Sequence, residues 1–195
     1  MKKRTISLLL TLAMTVVIFT GLGGNAEANY YPNNYKNIFG LNNRQYVIGA
    51  SASSYPRYLT AISTAVNAWN AASKVQLYAS GSGSSAVVFS VSSLVSLSER
   101  GQTIFYTIDG SPMTTPTSSW SYAEVRISQA LLNSMTEPAT ELAATVMHEM
   151  GHAFGLTHAV ASIGQVSIML PYADRRGYVT TVLDGDLDDV DNLYP

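Results

Sequence analysis

The stretch His148-Glu149-Met150-Gly151-His152-Ala153-Phe154-Gly155-Leu156-Thr157-His158 constrains this chain more than any other feature, and it holds all three histidines of the protein. Apolar residues at Leu142, Val146, Met150 and Ala153 predict a helix through its first half. His148 and His152, four residues apart, then share one face and can grip one metal ion. Glu149 lies about 100° round the helix, where it reaches a water on that metal without ligating the metal. Gly155 stops the helix in the position where a left-handed backbone is cheapest, and the turn returns His158 as a third nitrogen ligand. Three neutral imidazoles favour zinc and leave a coordination position open, which suits catalysis better than a structural role. Five fixed positions of these residue types arise by chance about once in 10⁵ chains of this size or less often. Gly151 sits inside the helix, where glycine costs roughly 1 kcal/mol against alanine, so a close backbone approach is expected there.

The N-terminus reads as an export signal. Met1-Lys2-Lys3-Arg4 is basic, Ile6 to Phe19 is apolar apart from Ser and Thr, and Ala26-Glu27-Ala28 is a small-x-small cleavage site. The alternative is a membrane anchor, but the apolar run is short of the ~20 residues a spanning helix needs and ends in Gly21, Gly23 and Gly24. The absence of cysteine excludes a lipid-anchored lipoprotein. Removing residues 1–28 of 195 leaves 167, with 8 cations against 12 acids and a net charge of −4. That balance argues against a nucleic-acid partner, which needs a basic stripe. A body of this size can bury a core without disulfides, as an exported chain lacking cysteine must. Only 12% of residues are charged while 47% are hydrophobic, which suits a folded globular domain and excludes disordered, coiled-coil and collagen-like readings.

Residues 29–43, rich in Asn and Tyr, show no period and read as an extended arm or short pro-piece; residues 44–195 read as one domain. Strands are expected at 45–48, 75–78, 87–92, 103–108 and 123–128. A first helix opens at Ser54-Tyr55-Pro56, buries Tyr58, Ile62, Ala65 and Trp69, and runs out near Ala72. A flexible loop at 81–85 and a long one at 109–121 carry Gly, Ser and Pro. The second helix opens at Glu137-Pro138, and the third begins near Asp184 with Leu187, Val190 and Leu193-Tyr194 at helical spacing. The order is β-α-β-β-β-β and then two helices, an α+β domain.

The eleven-residue stretch resembles the metzincin metallopeptidase signature H-E-x-x-H-x-x-G-x-x-H. Ser167-Ile168-Met169-Leu170-Pro171 resembles the Met-turn of that clan, the tight turn beneath the metal. The helix with Trp69, the strand before the zinc helix and the ending Asp186-Leu187, Val190, Leu193-Tyr194 make the wider pattern most similar to the matrixins, over roughly Gln45 to Tyr194. The resemblance implies a twisted five-stranded, mostly parallel sheet with an antiparallel edge strand and three helices. It also implies a cleft across the molecule and zinc-dependent endopeptidase activity on extended chains. It places Met169 as structural support under the zinc and Thr103–Ile108, with Ile104 and Tyr106, at the substrate-binding edge; an ordinary interior strand is the alternative. Pro171 and Tyr172 would wall the pocket on the leaving-group side.

The chain departs from the family in several places. Ala159 stands where typical matrixins carry Ser. Without cysteine there is no thiolate latency switch, and no histidine remains for a second, structural zinc. Tyr172 lies three residues after Met169, whereas astacins and serralysins place a metal-approaching tyrosine two after it.

Other polar clusters have plainer readings. Arg175-Arg176 reads first as a solvated pair. Asp184, Asp186, Asp188, Asp189 and Asp191 suit the positive start of a helix, with Asp184 as N-cap. Calcium (Ca2+) stays open there, although the run lacks the glycine at six and the glutamate at twelve of a calcium loop. Two function classes follow: a secreted zinc (Zn2+) endopeptidase, or a binding module that keeps the metal fold without turnover. Intact Glu149 and His158 favour the enzyme, expected to act extracellularly as a monomer on protein or peptide substrates without stable membrane association.

Overall fold

A computed structural model describes residues 30–81, 85–93, 95, 98–134, 138–160, 166–171 and 179–194. Residues 1–28, read from the sequence as an export signal, and Tyr172 and Arg175-Arg176 lie outside the described residues. Six strands form one sheet: β1 (Leu41–Ile48), β2 (Val75–Ala79), β3 (Ser85–Ser92), β4 (Gly101–Tyr106), β5 (Pro112–Met113) and β6 (Tyr122–Ser128). Their spatial order is β2-β1-β3-β6-β4-β5. β2, β1, β3 and β6 run parallel, and β4 is antiparallel to β6. The α+β class, the mostly parallel sheet and the antiparallel edge are as expected.

The helices are α1 (Ala50–Ser53), α2 (Pro56–Trp69), α3 (Gln129–Ser134), α4 (Ala139–Phe154) and α5 (Asp184–Leu193). Among the described residues, five α-helices and six strands replace the three and five expected, because α1, α3 and β5 are too short to show a period. The two-residue β5 pairs with Phe105 and Tyr106, so it covers the far end of β4 and leaves its start as the open edge. Strand β1 begins at Leu41, earlier than expected, and β4 ends at Tyr106 instead of Ile108.

β6 alternates cleanly. Ala123, Val125 and Ile127 are buried toward the helices, while Glu124 and Arg126 face the other side and form an ion pair at 2.6 Å. The helices α2 and α4 pack together on the apolar face. There the hydroxyl of buried Tyr58 donates to the Val125 carbonyl at 3.2 Å, which ties α2 to the sheet.

Helix α4 is the central element, and its C-terminal end is closed completely. A helix leaves its last four carbonyls without intrahelical partners. Here the amides of Gly155 and Leu156 donate to His152 and Gly151, at 2.9 and 3.0 Å. Gly155 is left-handed (φ 111°), as the sequence requires. The Trp120 indole donates to the Ala153 carbonyl at 3.1 Å and the Tyr194 hydroxyl to Phe154 at 2.8 Å. Trp69, also wholly buried, donates to Met147 at 3.0 Å.

The segment before β1 is folded onto this same end. Tyr30 pairs antiparallel with Leu156, the buried Asn37 donates its amide to the Tyr194 hydroxyl at 3.0 Å, and Lys36 Nζ reaches the Leu193 carbonyl at 2.5 Å. Among the described residues, no helix is long and apolar enough to cross a membrane.

Candidate metal centre

The three histidines converge. Their ligating nitrogens lie within 4.8 Å of one another, and their ring centroids are 4.7 to 5.2 Å apart. Helix periodicity supplies the first two, and the fold-back at Gly155 supplies the third. Burial is graded from the covered His148 through the half-buried His152 to the exposed His158, so the group opens to solvent on one side.

The backbone presets the chemistry of the rings. His148 Nδ1 lies 2.8 Å from the Ile168 carbonyl, and His152 Nδ1 lies 2.8 Å from the Leu156 carbonyl. A carbonyl can only accept, so Nδ1 carries the proton in both rings and the Nε2 lone pairs are free for a metal. Desolvation lowers the pKa of His152 from 6.5 to about 4, against the pull of the Leu156 carbonyl and helped by the neighbouring His158. That ring is therefore neutral, as a ligand must be. His152 Nε2 and His158 Nε2 stand 3.2 Å apart, aimed at common space. The donor set fits one zinc ion.

Glu149 is buried beside them. The Thr103 hydroxyl lies 2.8 Å from both its carbonyl and its carboxylate Oε2, so it can hold the side chain from β4 by donating to one of them. Gly101 makes room on the same strand, since a Cβ there would fall 2.8 Å from Glu149 Cγ and 3.0 Å from Oε1.

The floor is the turn 167–170, all of it buried. Ser167 donates to Asp186 Oδ1 at 2.5 Å, and the amides of Ile168 and Leu183 donate to Oδ2 at 3.2 and 2.9 Å. Desolvation raises the Asp186 carboxyl above its usual range, and those three donors oppose the shift. Through the carbonyl of Ile168, the aspartate fixes the turn that orients His148. A Cβ on Gly151 would collide with Met169 Sδ, which is the close approach that a glycine inside the helix foretold.

The aspartate cluster divides its work among backbone groups. Leu183, not Asp184, is the residue preceding the helix, and Asp186 accepts its amide. Asp191 accepts the amides of Ser73 and Lys74 at 2.9 and 2.8 Å. Asp186 and Asp191 are thus engaged with backbone donors.

The cleft encloses about 660 Å³. Its walls include the three histidines, Glu149, Pro171 and the start of β4 from Arg100 to Thr103, with Phe105. Thr103 and Phe105, on the parity of β4 that faces α4, line it. Tyr106 points to the opposite face, where its hydroxyl bonds Glu124 Oε2 at 3.0 Å and its ring stacks on Tyr122 at 4.5 Å. Ile104 shares the parity of Tyr106 and is absent from the cleft lining. Tyr31 lines the cleft as well. Sequence reasoning missed it, because nothing in an Asn- and Tyr-rich segment marks one tyrosine among several.

Three converging imidazoles, two of them tautomer-fixed, with an adjacent carboxylate and an open cleft define a hydrolytic metal centre. Residues 45–195 match the matrixin family of M10 peptidases, and the chain belongs to that family: a zinc-dependent metalloendopeptidase acting on protein or peptide substrates. No curated protein matches the chain.

Proposed function

We propose that the chain is a secreted endopeptidase that cleaves extended polypeptides, with His148, His152 and His158 holding the zinc and Glu149 as general base. The observation that carries the assignment is the paired preorganisation of the two helix histidines and Glu149 at one end of one open cleft. His148, His152 and His158 would hold the zinc ion, whose chemistry there would be to make the attacking water more acidic and to polarise the scissile carbonyl. Glu149 takes the proton of the attacking water and delivers it to the departing amine. Thr103 and the bare backbone of Gly101 position that carboxylate. Met169, under Gly151, is the apolar floor that keeps the histidine-bearing turn of α4 in place.

The open start of β4 offers unpaired backbone groups for a substrate that adds as a strand. Pro171 supplies the wall on the leaving-group side; Ile104 lies in the open start of β4, whereas Tyr106 is covered by β5 and is not offered to the substrate. Residues 1–28 direct export and are removed, which leaves the 29–43 segment joined to the catalytic domain.

Glu149→Gln is near-isosteric but cannot accept the proton. It should keep about one zinc per chain and the wild-type melt, while casein or peptide hydrolysis falls about 10²–10⁴-fold. Turnover above a tenth of wild type would falsify the role of Glu149. Loss of hydrolysis on zinc chelation and its return on adding zinc distinguish the enzyme from an inert binding module.

A further inference from the structure

Tyr31 enters the catalytic cleft from a segment outside the family match, and its side chain divides into a fixed part and a free part. The ring is fixed. It packs edge-on against Phe105 at 5.5 Å and Trp120 at 5.9 Å, and tilts against His152 at 6.5 Å. Its backbone is pinned as well, by the Tyr31 amide on the Gly155 carbonyl at 3.4 Å, with the neighbouring Tyr30 hydroxyl on Asp189 at 3.1 Å. The hydroxyl differs: it has no hydrogen-bond partner among the described residues, and it is not among their sealed, unsatisfied atoms. Buried tyrosine hydroxyls normally find a partner. One whose ring is clamped while its oxygen opens on a cleft is set to find that partner in what the cleft binds.

Desolvation, and then the negative charge of Glu149, hold the phenol well above its ordinary range, so it is a donor throughout the working pH. The segment does not plug the site, because the cleft remains open with all three histidines in its lining.

We propose that Tyr31 is a catalytic residue whose hydroxyl donates a hydrogen bond to the scissile carbonyl oxygen of the bound peptide as that oxygen gains negative charge. No bond to Tyr31 forms or breaks, and its proton stays on the phenol. The inference rests on the peptidase reading above. It also makes the N-terminal segment part of the working enzyme and not a pro-piece to be discarded.

The test compares Tyr31→Phe, which keeps the packed ring and removes only the donor, with wild type and with Glu149→Gln, all as the full exported chain loaded with zinc. Tyr31→Phe should lower kcat about 10²-fold, within the range for losing one oxyanion donor, and leave KM, zinc content and thermal midpoint near wild type. Calorimetry should show its affinity for a phosphinic peptide, a tetrahedral mimic, weakened by a similar factor. Wild-type kcat and phosphinate affinity in Tyr31→Phe would overturn the proposal. So would a gain of activity in Tyr31→Ala, which would make the segment a brake. If Glu149→Gln is inactive while Tyr31→Phe is unaffected, only the role of Tyr31 fails; if Glu149→Gln stays active, the peptidase reading itself falls.

Discussion

Two missing methyl groups shape this centre. At Gly101 an added Cβ would press on Glu149 at 2.8 to 3.1 Å, so Gly101→Ala should push the carboxylate off its place while leaving the three ligands alone. We expect kcat/KM to fall about 10–100-fold, as for displacements of around an ångström, with zinc content unchanged; a variant of wild-type activity would show that the carboxylate tolerates the shift. Gly151→Ala is the contrasting case. Its Cβ meets Met169 Sδ and Trp69 in a packed interior, and overpacking of that kind costs about 1–3 kcal/mol. A lowered melting temperature together with weaker zinc retention is the expected signature. Gly151 was legible in the sequence because a glycine is anomalous in a helix. Gly101 was not, because a glycine opening a strand is ordinary and its neighbour Glu149 lies far along the chain.

Among the elements, the turn 167–170 acts through Asp186 at the start of α5. Asp186→Ala strands the amides of Ile168 and Leu183, at about 1–3 kcal/mol each, and should cost roughly 2–6 kcal/mol of stability while weakening zinc binding through His148. Asp186→Asn still presents one oxygen to both amides and should cost much less; equal losses in a urea titration would mean that charge, not hydrogen bonding, holds the turn. Met169 separates shape from chemistry in the same way. Met169→Leu should cost under about 1.5 kcal/mol and keep zinc, whereas Met169→Ala should cost about 2–5 kcal/mol and lower activity. Thermal melts paired with turnover check both.

What the sequence disclosed at this scale was whatever a local period encodes: the faces of α2 and α4, the stop at Gly155, the helix at Asp184. It could not disclose which side of β4 faces the cleft, since Ile104 and Phe105 are both buried and an alternation that buries both sides carries no direction. Nor could it disclose that Asp186 reaches back to the turn, because an acid near a helix start already has a local explanation.

For the whole molecule, the linkage between metal, protons and stability has a definite sign. His152 takes its proton only near pH 4 in the folded state but near 6.5 when unfolded. Above 6.5 both states are neutral there and the residue contributes nothing. As pH falls from 6.5 toward 4, the unfolded chain gains a proton that the folded one refuses, so the metal-free protein loses stability across that window. Zinc affinity falls over the same range, because protons compete for the ligands. Urea titrations of chelator-treated protein at pH 7.5 and 5 should show the loss, and it should be smaller in His152→Ala; an equal loss in that variant would assign the effect to other groups.

The Tyr194 hydroxyl that closes α4 also receives the amide of Asn37, across 157 residues of chain. The last carbonyl of the histidine-bearing helix therefore stays uncapped until residue 194 has been synthesised and has met a segment made long before it. A growing polypeptide holds the complete H-E-x-x-H-x-x-G-x-x-H motif for some time without this closure. Capping of this helix is thus completed late in synthesis, by a contact between the end of α5 and the segment that precedes β1.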